Sequence, residues 1–138
     1  MEEINWISYL MLFLAGAANG IMDLLQFHYL SSIFSTFKKQ KFWNPQLSWE
    51  NKWIWTYENS RGWPTPVKKE KFWGSSRWFV FITDGWHLVQ FFTIKFLFLA
   101  VMFHSEFMLW DIPGVCMYYV GFWITYESKL LRKKNGRS

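Results

Sequence analysis

The 138-residue chain has one cysteine, Cys116, so it can form no intrachain disulfide and no disulfide framework staples it. It has no HExxH, GxSxG or P-loop, so no local signature of a zinc protease, a serine hydrolase or a phosphate-cradling nucleotidase is available. It also lacks the basic n-region of a signal peptide. Glu2 and Glu3 stand there instead, and the following apolar run is too long for an h-region. The first helix is therefore expected to stay in place, with Ala15-Gly16-Ala17 as a packing surface and not a cleavage site. Charged residues are only 18% of the chain, against 51% hydrophobic and 23% aromatic residues, an excess for a soluble domain of this length. The mean hydropathy of -0.02 looks ordinary because long apolar runs are averaged with a basic middle and tail.

The apolar residues gather in three runs, at about 6–25, 78–103 and 107–126. Each is near the 20 or so residues that a spanning helix needs, with Pro113 near the start of the third. Nine of the 15 Lys and Arg residues lie between the first and second runs, five follow the third, and Lys95 is the remaining one. The expected fold is thus all-α: an integral membrane protein with three transmembrane helices, N-terminus out and C-terminus in. A cytoplasmic interfacial segment would cover 38–76 and a basic tail 127–138. The reading is a single multi-pass domain, in a bacterial inner membrane. Topology and anionic headgroups account for the net charge of +5 without a nucleic-acid partner.

The second run is unusual because it carries Asp84, His87 and Lys95. A charge near the bilayer centre costs at least roughly 2.5 to 3.5 kcal/mol. On a helix, Asp84, His87, Phe91 and Lys95 fall at about 0°, 300°, 340° and 20°, on one stripe that should face protein or water. Lys95 is expected to snorkel outwards or to pair with Asp111. In the first run Gly16 and Gly20 have GxxxG spacing, and Asn19, Asp23 and Gln26 continue that face. Small residues allow close approach of membrane helices, so this face should pack on another helix, of this chain, a second copy or a membrane-complex partner. Two antiparallel helices would bring Asn19, Asp23 and Gln26 to the depth of Asp84 and His87. His28 is about 140° round the helix from Asp23 and is expected among headgroups.

Segment 38–76 interleaves Trp43, Trp49, Trp53, Trp55, Trp63 and Trp73 with lysines, as an anionic leaflet would require. One or two short interfacial helices are expected, one of them over Leu47 to Tyr57, with Ser48 and Asn51 as caps. The motif FWNPxxSWxNKW (Phe42 to Trp53) together with ITDGWHL (Ile82 to Leu88) resembles a set of small bacterial integral membrane proteins. That resemblance brings no activity, cofactor or catalytic residue with it.

Two carboxylates and an imidazole in a low-dielectric crevice suit acid-base or metal chemistry. Asp23, Asp84 and His87 are thus the candidate catalytic groups and the candidate ligands of a divalent metal. Asn19, Gln26, Asn51 and Lys52 are candidates for holding a headgroup. The function expected is binding or processing of a lipid headgroup or phosphate near the cytoplasmic leaflet, with membrane lipids as partners. The alternatives are a non-enzymatic accessory subunit of a membrane complex, or an oligomeric pore or proton relay with a holin-like layout.

Overall fold

The computed structural model describes residues 6–60, 62–103, 111–127 and 131. Among them the chain forms α1 (Trp6–Phe27), α2 (Gln40–Trp43), strands β1 (Trp53–Ser60) and β2 (Trp63–Glu70), α3 (Val80–Thr83), α4 (Gly85–Met102) and α5 (Asp111–Tyr126). Short 3-10 turns at Tyr29–Ser31, Ile33–Thr36 and Ser48–Lys52 link them. This corrects the expected all-α, three-span architecture in two respects. An antiparallel two-stranded sheet stands in the middle of the chain, and among the described residues only α1 and α4 are long and apolar enough to cross a membrane. With 16 residues, α5 is about 24 Å long, short of a bilayer core of about 30 Å.

Glycine sets how closely the long helices approach. A Cβ on Gly16 would collide with the Tyr118 carbonyl, and one on Gly20 with the Phe122 carbonyl and the Thr125 side chain. Reciprocally, a Cβ on Gly121 would strike the Phe13 carbonyl. The GxxxG face is therefore covered by α5 of the same chain, backbone against backbone, as small residues allow. Leu12 and Tyr9 meet Gly114 at one end and Gly20 meets Thr125 at the other, so α1 and α5 run parallel. Helix α4 runs antiparallel to α1. The buried Ser8 hydroxyl near the start of α1 donates to the Ala100 carbonyl near the end of α4 (2.9 Å).

At the opposite end of α1 the chain folds beneath the bundle. Ala18, Leu25, Tyr29, Phe34 and Val89 form the buried apolar cluster there, with Trp43 and Trp86 packed against it. The Phe34 and Trp43 rings stack with centroids 5.2 Å apart. Tyr29 Oη donates to Gln40 Oε1 (2.6 Å) and lies 3.2 Å from the Phe34 carbonyl, tying the 3-10 turns to α2.

The interfacial helix expected over Leu47 to Tyr57 is a single 3-10 turn followed by the first strand of a hairpin. The sequence WIWTYENS is rich in the aromatic and β-branched residues that suit a pleated surface, and Gly62 has the positive φ (+83°) that a tight hairpin turn requires. Pro64 pairs with Asn59 and Pro66 with Tyr57, so both prolines occupy positions whose missing N–H would point away from β1.

The second apolar run is not one helix from residue 78. After the single turn α3, Asp84 is extended (φ -147°, ψ 123°), and α4 begins at Gly85. Asp84 therefore stands at the start of α4 and not inside a continuous helix.

Candidate functional site

Asp84 is the N-cap of α4, and its position follows from ordinary capping chemistry. Its Oδ1 accepts from the Trp86 amide (2.9 Å) and the His87 amide (3.3 Å), two of the otherwise unpaired donors of the first turn. Its Oδ2 accepts from the buried Ser48 hydroxyl (2.9 Å). Lys52 Nζ approaches the same oxygen at 3.6 Å, and His87 Nδ1 at 3.0 Å. The imidazole Nδ1 is in close contact with the carboxylate but is not aligned as a hydrogen bond. Burial pushes the Asp84 carboxyl up, but the His87 ring and amide and the Ser48 hydroxyl outweigh it and hold the group at about 2. The carboxylate is thus ionised and saturated with partners.

The neighbouring turn completes the junction. Asn51 Nδ2 donates to the Thr83 carbonyl (2.6 Å), and Lys71 Nζ donates to Asn51 Oδ1 (2.7 Å). Ser75 Oγ and the Lys71 amide both donate to the Lys52 carbonyl (2.8 and 3.0 Å). Gly85 lies so close to Trp43 that a Cβ there would sit 2.7 Å from the indole. The Phe42–Trp53 motif and the Ile82–Leu88 motif, separated by 28 residues, therefore dock on each other.

Of the expected site residues, the structure brings together Asp84, His87, Asn51 and Lys52. Asp23 and Asn19 are half-buried in α1 and Gln26 is exposed at its end, and none of the three joins this junction. Among the described residues no three His, Cys, Asp or Glu side chains gather as a metal ion would need, so the expected Asp23, Asp84 and His87 metal centre is not formed. The physical reason is the helix break at Asp84. It turns the carboxylate onto Ser48 and its own helix amides. His28 Nε2 lies 3.1 Å from Tyr126 Oη, and Lys95 Nζ sits over the Phe91 ring at 5.4 Å. The alternative pairing of Lys95 with the Asp111 side chain lies outside the described residues, as do the 104–110 turn and most of the basic tail.

Beside the junction opens a cavity of about 720 Å³ that sequence reasoning did not anticipate as a unit. Lys38, Lys39, Lys41 and Lys71 line it with Asn51, and Phe42, Trp43 and Ile82 supply an apolar wall. The signal available in the sequence was the cluster Lys38-Lys39-Gln40-Lys41 just before an aromatic pair. A second, smaller cleft lies by the base of the hairpin, lined by Trp53, Trp73, Trp78, Glu70 and Arg77. Lys68 Nζ lies over both the Trp49 and the Trp53 rings, at 4.8 and 4.5 Å from their centroids.

No family model, curated protein or solved structure matches the chain.

Proposed function

We propose that the protein is a membrane protein that binds a phosphate-bearing lipid headgroup in the lysine-lined cavity, with α1 and α4 crossing the bilayer and the cavity at the cytoplasmic leaflet. The observation that carries this reading is the cavity itself. Four lysines and Asn51 line a space large enough for a headgroup, together with the apolar Phe42, Trp43 and Ile82, and of the four Lys41 is also paired with Glu50 (3.0 Å) and Lys71 with Asn51 (2.7 Å). Ammonium groups suit phosphate as point charges with several donors each. The Asp84 junction serves as the fastening that holds Asn51 and Lys71 on the cavity rim, since Asn51 is bonded to Thr83 next to Asp84. A carboxylate already engaged by two amides and a hydroxyl, with Lys52 and the His87 ring beside it, is a poor general base, which weighs against catalysis or a proton relay at this point.

The test is binding of the detergent-purified full chain to phosphatidylcholine nanodiscs with and without phosphatidic acid. The wild type should prefer the anionic discs. The variant Lys38→Gln, Lys39→Gln, Lys41→Gln, Lys71→Gln should lose at least tenfold in that preference, given about 1 kcal/mol per lysine near an anionic surface. Equal preference in both proteins would overturn the assignment.

A further inference from the structure

We propose that the cleft by the base of the hairpin receives the alkylammonium end of a zwitterionic phospholipid headgroup. The cleft holds about 360 Å³ and presents three indoles, one carboxylate and one guanidinium. Indole faces attract ammonium ions through the ring quadrupole, and cages of aromatic rings are the usual receptors for alkylated ammonium groups. This part of the molecule already uses that chemistry internally, because Lys68 rests on the Trp53 ring. Glu70 supplies the fixed negative charge. It accepts from the Gly74 amide (3.0 Å), the Ser76 amide (3.3 Å) and the Ser76 hydroxyl, and the Ser76 and Gly74 bonds hold its carboxyl below the usual range.

The backbone turn that carries Trp73 and Trp78 is held in shape before any ligand arrives. Gly74, at φ +74°, lets the chain turn so that its carbonyl accepts the amides of Arg77, Trp78 and Phe79, at 2.9 to 3.1 Å. The fully buried Ser75 pins the turn to the Lys52 carbonyl. Trp73 and Trp78 are nevertheless 79% and 73% exposed, so their rings are free to meet a ligand. The charges are complementary to a zwitterion and not to a simple anion: Glu70 faces the ammonium, and Arg77 suits the adjoining phosphate. No lysine of the larger cavity lines this cleft, so the two assignments fail separately.

The experiment titrates the full chain, purified in a non-ionic detergent, with tetramethylammonium and with soluble phosphocholine, followed by saturation-transfer NMR on the probe methyl groups. Saturable binding of both is expected, weakened at least fivefold in Trp73→Ala and in Trp78→Ala. Both side chains are mostly exposed, so circular dichroism should show an unchanged fold. Glu70→Gln should weaken tetramethylammonium by a similar factor. In phosphatidylcholine nanodiscs the lipid's own headgroup should displace soluble phosphocholine, whereas phosphatidylglycerol nanodiscs should leave it bound. Equal tetramethylammonium affinity in wild type and both tryptophan variants would overturn the proposal. So would phosphatidylcholine nanodiscs that fail to compete, which would mark the cleft as a receptor for a free ammonium compound.

Discussion

Asp84 shows how one side chain can join distant parts of a chain. It closes the first turn of α4, holds Ser48 and draws in Lys52 and His87. Its folded-state value of about 2 lies below the ordinary 3.8, so its contribution to stability is complete above about pH 4. As the pH falls towards 2 the carboxylate protonates in the folded protein too, and the contribution disappears. The thermal midpoint in detergent, followed by circular dichroism, should therefore drop between pH 4 and pH 2 in the wild type. Asp84→Asn should show a smaller drop, the remainder coming from groups such as Glu70 that are also held below their usual range, and should be less stable at pH 7 by about 2 kcal/mol. The residue is conspicuous in the sequence, yet its place at the start of α4, and not within a continuous helix, is not. Hydropathy averages over a window and sees a charge inside an apolar run, whereas capping depends on one residue leaving the helix. The Asp84-Gly85 pair was the local sign of that break. Ser48 and Lys52 could not be assigned to Asp84 in advance, because no periodicity links residues more than thirty positions apart.

Among the elements, the helix seam was legible and the hairpin was not. GxxxG is a local spacing on one helix face, so Gly16 and Gly20 could be marked as a contact from sequence alone, though not α5 as their partner. Gly16→Ala should push α1 from α5, since the new Cβ meets the Tyr118 backbone and not a flexible side-chain end. A loss of about 1 to 3 kcal/mol is expected from such overpacking, read as a lower midpoint in chemical denaturation. Gly62→Ala makes a useful contrast. No atom lies within 4 Å of the added Cβ, so only its φ of +83° opposes the change, and about 1 kcal/mol should be lost. The hairpin was missed because tryptophans interleaved with lysines were read as a helix on a leaflet. The alternation in WIWTYENS and the glycine after it fit a strand and a turn equally well, and the pairing with residues 63–70 decides between them.

For the molecule as a whole, α1 and α4 run antiparallel and the hairpin, both cavities and the buried aromatic cluster lie where α1 ends and α4 begins. If that end faces the cytoplasm, a cysteine placed at Thr65 in a Cys116→Ser background should react with an impermeant maleimide in inverted vesicles and stay unlabelled in intact cells. Labelling in intact cells would reverse the orientation. If the hairpin lies on a leaflet, as proposed above, crowding there adds a hazard that the hairpin meets by its composition. A two-stranded sheet normally offers rows of backbone donors that recruit a strand from the next molecule. Pro64 and Pro66 remove two such donors from the open side of β2. A neighbouring copy therefore finds no continuous ladder to extend on that side, and the tryptophan-rich ribbon can be held at high density on a membrane without growing into a shared sheet.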